Sequence, residues 1–133
     1  MSNIISTLKR LPGMENTAPA SNDTICDAEK KLNLKFADDY RKYLATFGTV
    51  CSDLIAVSGL GGKSFSDVVN LTTKCQSVNE QIPNNFYVIE DVGVDGLVIW
   101  QDASGVVYQS VPLREPEKIH DSLSDYLEYV IKG

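Results

Sequence analysis

The run Leu97-Val98-Ile99-Trp100 constrains this chain more than any other segment. Successive side chains on a strand point to opposite faces, so four consecutive apolar residues make both faces apolar. Such a strand belongs inside a sheet, covered on both sides. Turn signals bracket it, Asp95-Gly96 before and Ala103-Ser104-Gly105 after. They link the strand at residues 97–101 to strands at 86–90 and 106–110, which gives a three-stranded meander.

The cover comes from helices. Tyr40, Tyr43, Leu44 and Phe47 fall at i, i+3, i+4 and i+7, with Asp38 and Asp39 in the first turn and Gly48 at the end. Leu123, Tyr126, Leu127 and Val130 repeat that spacing over residues 122–131, where Ser122 is the cap and Asp125 holds the capping-box position. An earlier helix starts at Ser21 or Asn22, buries Ile25, Ala28 and Leu32, and stops at Asn33. A first helix spans residues 3–11 and ends at Pro12-Gly13. A short apolar strand at 54–57 and the turn Gly59-Leu60-Gly61-Gly62 lead to a fourth helix, capped by Ser66 or Asp67. Its buried side is expected to hold Val68, Leu71, Thr72, Cys75 and Val78. The order is helices, strands, helix. That predicts an α+β fold with a central, mostly antiparallel sheet packed against helices, in a single domain covering residues 1–133.

Composition and motifs narrow the function. No apolar run approaches bilayer length. Ser6, Thr7, Lys9 and Arg10 interrupt what would be the apolar centre of a signal peptide, so a cytoplasmic location is expected, with no membrane partner. Cys26, Cys51 and Cys75 are widely spaced and form no C-x-x-C, so they are expected to be reduced thiols, buried or half-buried. The single histidine, His120, lies beside Asp121 in an expected loop leading into the last helix. Neither a metal centre nor catalysis is built on one isolated imidazole. Gly61-Gly62-Lys63-Ser64 has the ending of a phosphate-binding loop, but Val57 stands where the pattern needs its first glycine. The plain reading is a glycine turn; the rival is nucleotide binding through Lys63 and Ser64. No cofactor and no catalytic residue emerge.

Charge is the remaining signal. Residues 51–133 hold twelve Asp/Glu against five Lys/Arg, and residues 75–113 hold no Lys or Arg at all. A field of one sign repels nucleic acid and attracts a basic protein. The candidate partner-binding residues are Glu90, Asp91, Asp95 and Asp102, with Tyr108 as an aromatic anchor. Glu90 and Asp91 are adjacent on a strand and so should face opposite ways. Trp100, inside its apolar run, is expected in the core.

Three motifs in order carry a family resemblance. Ile25-x-x-Ala28-Glu29-x-x-Leu32-Asn33-Leu34-x-Phe36-Ala37-x-Asp39-Tyr40-x-x-Tyr43-Leu44-x-x-Phe47-Gly48 resembles the opening signature of the SUKH superfamily. Phe86-Tyr87-Val88-Ile89-Glu90-Asp91 with Asp95-Gly96 resembles its middle strand pair, and Ser122-Leu123-Ser124-Asp125-Tyr126-Leu127 its closing helix. Ala37 replaces the usual Pro, Asn33 a frequent Gly, and Leu123 an aromatic residue. The resemblance implies an α+β fold without shared catalytic residues. It also implies relatives of two kinds. Many are bacterial immunity proteins that bind a cognate toxin domain, often a nuclease; others are eukaryotic regulators of cell-wall synthesis.

Overall fold

Side-chain caps decide where most of the helices begin. The computed structural model describes residues 3–133. Asn3 Oδ1 accepts from the Ile5 N–H and opens α1 (Ile4–Lys9). After the two-residue strand β1 (Glu15–Asn16), Ser21 Oγ accepts from the Thr24 N–H and opens α2 (Asn22–Leu32). Asn33 closes α2 in the left-handed conformation, φ 54°, which Asn tolerates in place of Gly.

Helix α3 (Asp38–Phe47) has no side-chain cap. Its N-cap, Ala37, instead donates its N–H to the Tyr87 hydroxyl at 2.9 Å, a bond that a proline there would lack. Strands β2 (Val50–Cys51) and β3 (Ala56–Val57) follow, then a single 3-10 turn at Ser64–Ser66. Asp67 then accepts from the Val69 and Asn70 N–H groups and opens α4 (Val68–Val78). The chain continues through β4 (Tyr87–Asp91), β5 (Val98–Gln101), β6 (Val107–Ser110) and β7 (Glu117–His120). Ser122 Oγ accepts from the Asp125 N–H and opens α5 (Leu123–Lys132).

Two antiparallel sheets result, β1-β2-β3 and β4-β5-β6-β7. Ser58 joins them. Its N–H donates to Ile89 O at 2.8 Å and its hydroxyl donates to Val88 O. The expected meander is present with a fourth strand added. Strand β5 is central and all four of its residues are buried, as its sequence required.

The larger apolar cluster packs α1, α2, α3 and α5 against Tyr87, Ile89, Ile99 and Val107. A smaller cluster on the other face joins Cys75 and Leu71 of α4 to Phe86, Val88, Val98 and Trp100. Trp100 is 1% exposed, with its indole N–H on Ser110 Oγ at 2.8 Å.

The buried tyrosines do more than fill space. Tyr43 Oη accepts from the Val50 N–H and donates to Ser58 O, completing backbone pairing that the short strands leave open. Tyr40 Oη bonds Ser58, and Tyr87 Oη donates to Gln101 Oε1 at 2.6 Å. Burial pushes the phenols of Tyr40, Tyr43 and Tyr87 well up from their ordinary range. Glu29, 3% exposed, accepts from Arg41 and from the Phe36 N–H, tying α2 to α3. Burial alone would raise its carboxyl, but Arg41 and Phe36 outweigh that and hold it low.

Four expectations need correction. Residues 117–120 form an edge strand, where the sequence suggested a loop. Glu117-Lys118-Ile119-His120 is too polar to announce a strand, yet it pairs with β6. His120 therefore ends a strand, with its ring 5.7 Å from Tyr126 and 5.4 Å from Tyr129. Val78 is 72% exposed, because Val68, Thr72 and Cys75, continued by the C-cap Asn79, make the inner stripe. Cys51 is exposed, because its neighbour Val50 takes the inward side of β2. The strand expected at 54–57 shortens to Ala56–Val57, leaving Leu54 48% exposed.

Candidate partner-binding surface

The β4–β5 pair sets the positions of the candidate carboxylates. A bulge between Val88 and Glu90 puts one extra residue in β4, so Glu90 pairs with Ile99 and Asp91 with Val98. Glu90 thereby turns toward the α5 side, where its carboxylate accepts from the Tyr126 hydroxyl at 2.9 Å. Burial raises its carboxyl, partly offset by that bond. Asp91 turns the other way, toward α4, with Lys74 Nζ at 3.7 Å and the Gly93 N–H at 3.2 Å. The two neighbours face apart, as strand alternation required.

Asp95 and Gly96 occupy the turn itself, with φ of 54° and 71°, the pair of left-handed residues that an Asp-Gly hairpin turn demands. Asp95 is exposed. Asp102 lies at the opposite end of β5. It accepts from the Ser104 N–H at 3.1 Å and from the Tyr108 hydroxyl at 3.0 Å. Tyr108 is half-buried and stacks on Phe86 with centroids 4.3 Å apart. Burial first, then the Asp102 carboxylate, raises its phenol.

The structure thus brings Asp102 and Tyr108 together, sets Asp91 and Asp95 at the other end of β5, and turns Glu90 inward. One cation, Lys118, pairs across from Tyr108 on β7, though its ammonium is engaged by Asp121 at 2.7 Å.

Sequence reasoning passed over exposed apolar residues on three segments that meet at the Asp95 end of the sheet. Val78, Val94, Val111 and Leu113 are exposed, and Leu113 has φ 65°. Periodicity assigned Val78 to the core and had no rule for the loop residues. The available signal was the apolar pair Val111 and Leu113 around Pro112, in a segment with no strand or helix pattern.

The geometry of the glycine turn works against a phosphate-binding loop. Asp67 already occupies the donors at the start of α4, where a phosphate would sit. Lys63 lies over the Phe65 ring, 5.9 Å from its centroid. Gly59 is there for close packing: a Cβ would strike the Gly48 carbonyl and Thr49. A cleft of about 620 Å³ does open beside Gly61, Gly62 and Lys63, lined also by Val50, Cys51 and Val57. Among the described residues, no three His, Cys, Asp or Glu side chains are placed to hold a metal ion. No helix there is long and apolar enough to cross a membrane.

No curated protein matches the chain. The SUKH_5 family model, described as SMI1-KNR4 cell-wall, matches residues 1–132. With an α+β architecture of five helices and two antiparallel sheets among the described residues behind that match, the chain belongs to the SUKH family.

Proposed function

We propose that this domain is an immunity protein of the cytoplasm that binds and neutralises a cognate toxin domain, and that it makes and breaks no covalent bond in doing so. One observation carries the reading. Residues 75–113 run from the end of α4 through the edge strand β4, the strands β5 and β6 and the turns between them, without a single Lys or Arg of their own. A basic toxin, such as a nuclease, would be drawn to that edge and held off its substrate. Asp91 and Asp95 meet the partner from one end of β5, Asp102 and Tyr108 from the other. Glu90, turned toward Tyr126, contributes charge from beneath. Family membership supports a protein-binding role of this kind.

The test uses the toxin domain to be sought among the genes beside this one. Asp91→Lys with Asp95→Lys should slow association by about tenfold at low salt and flatten its salt dependence. Unchanged association would remove these carboxylates from the interface. The family description, cell-wall, favours a second reading as a regulatory scaffold. Absence of any toxin gene nearby, with a stable cellular complex of cell-wall enzymes, would select it.

A further inference from the structure

Three segments meet at the end of the sheet where β4 turns into β5. They are the end of α4, the Val94–Leu97 turn and the loop after β6. Asn79, 7% exposed, donates from Nδ2 to Val111 O at 3.3 Å and Arg114 O at 3.2 Å. Gln81 Nε2 donates to Leu113 O at 2.8 Å. Gly96 lies so close to Pro112 that any side chain there would collide with it.

The loop is therefore anchored at both ends, yet its apolar residues face water. Leu113 is 80% exposed, Val78 72%, Val94 60% and Val111 36%. Leu113 also holds φ 65°, a conformation in which Gly, Asn or Asp is the usual residue. Its leucine serves neither the turn nor the core. A strained, exposed, firmly held apolar residue is better explained by a contact made outside the chain. The charges on these segments are Glu80, Asp95 and Glu115 against Arg114, all exposed.

We infer that this surface docks a protein segment whose aliphatic side chains are flanked by Lys or Arg. The inference rests on the reading above that the domain works by binding protein. It puts the apolar centre of the contact at Val78, Val94, Val111 and Leu113. A second copy of the chain fits less well, since it would set acid against acid.

The isotope-labelled chain would be titrated with three synthetic peptides followed by NMR. The first carries Leu and Ile between Lys/Arg flanks. The second replaces its aliphatics with Ser, and the third replaces its basic flanks with Glu. Saturable shifts are expected with the first alone, confined to residues 78–81, 93–96 and 111–115. Leu113→Gly should raise Tm by about 4 °C by relieving the backbone, and weaken that peptide about tenfold. Val94→Asp should weaken it similarly while leaving Tm unchanged.

Equal response to all three peptides, shifts elsewhere, no saturation by millimolar peptide, or self-association through this surface would overturn the inference. Toxin bound equally by wild type and both variants would also sink the surface assignment while leaving the proposed function standing. Conversely, a wild type that binds the basic aliphatic peptide here but no toxin would sink the function and keep the surface.

Discussion

On one face of the four-stranded sheet, α1, α2, α3 and α5 close over Tyr87, Ile89, Ile99 and Val107; on the other, little besides α4 meets Phe86, Val88, Val98 and Trp100. Buried polar groups find partners on both faces, and on the first they tie separate elements together. Tyr43 supplies a backbone partner to Val50, Tyr87 to Ala37, and Gln101 bridges Tyr87 and Asp39. The second face stops short. Tyr108 remains half-buried, and at the Asp95 end of the sheet the apolar residues of three segments stand in water. The contrast lies in cover: the closely covered face fixes how the helices pack on the sheet, and the sparsely covered one leaves apolar side chains at the surface.

That contrast can be broken by truncation. Leu44→Ala, on a residue with no exposure, should cost about 3 kcal/mol. Leu71→Ala, on the half-buried edge of the smaller cluster, should cost about 1 kcal/mol. Urea unfolding measures both, and equal losses would erase the distinction between the faces.

Next in size is the Glu29–Arg41 pair. Arg41→Ala leaves a buried carboxylate short of its partner and should cost about 2 kcal/mol at neutral pH, a reduced penalty because the Arg41 side chain stays 37% exposed. The Glu29 carboxyl is held low in the folded state, so its stabilisation is present above the unfolded pKa and lost as pH falls through the folded one. The gap between wild type and Arg41→Ala should therefore close in acid. A gap that persists there would assign the loss to packing of the arginine stem.

Glu90 has the opposite sign and a smaller effect. Its folded pKa is raised, chiefly by burial, so its contribution is full below the unfolded pKa and lost as pH rises through the folded one. Glu90→Gln should match wild type in acid and exceed it slightly at neutral pH. A neutral-pH loss instead would mean that the ionised carboxylate, bonded to Tyr126, is structurally required.

The smallest effect belongs to the exposed face: Val78→Ser should change stability by less than about 0.5 kcal/mol.

Much of this organisation was legible in the amino acids. The double-sided apolar run at Leu97–Trp100 located the central strand, and Asp95-Gly96 gave the turn with both residues at positive φ. Helical spacing found the five α-helices of the described residues because each buries a stripe. Strand β7 was hidden because an edge strand needs no apolar alternation. The two-residue strands β1 and β2 were hidden because Tyr43 and Thr49, rather than a long ladder, hold that region. Within the candidate site, residue type announced the carboxylates, but their directions depended on the bulge at Val88–Glu90, which leaves no mark in composition. The apolar surface at Val94 and Leu113 escaped because hydrophobicity reads as burial until exposure is seen.

The most direct measurement is a titration of purified toxin domain with this chain, followed by residual toxin activity at several times after mixing. Binding without chemistry gives inhibition that is complete at one chain per toxin and constant in time. Progressive loss of toxin activity at substoichiometric amounts of the chain would show turnover, and would contradict a domain that acts by its surface alone.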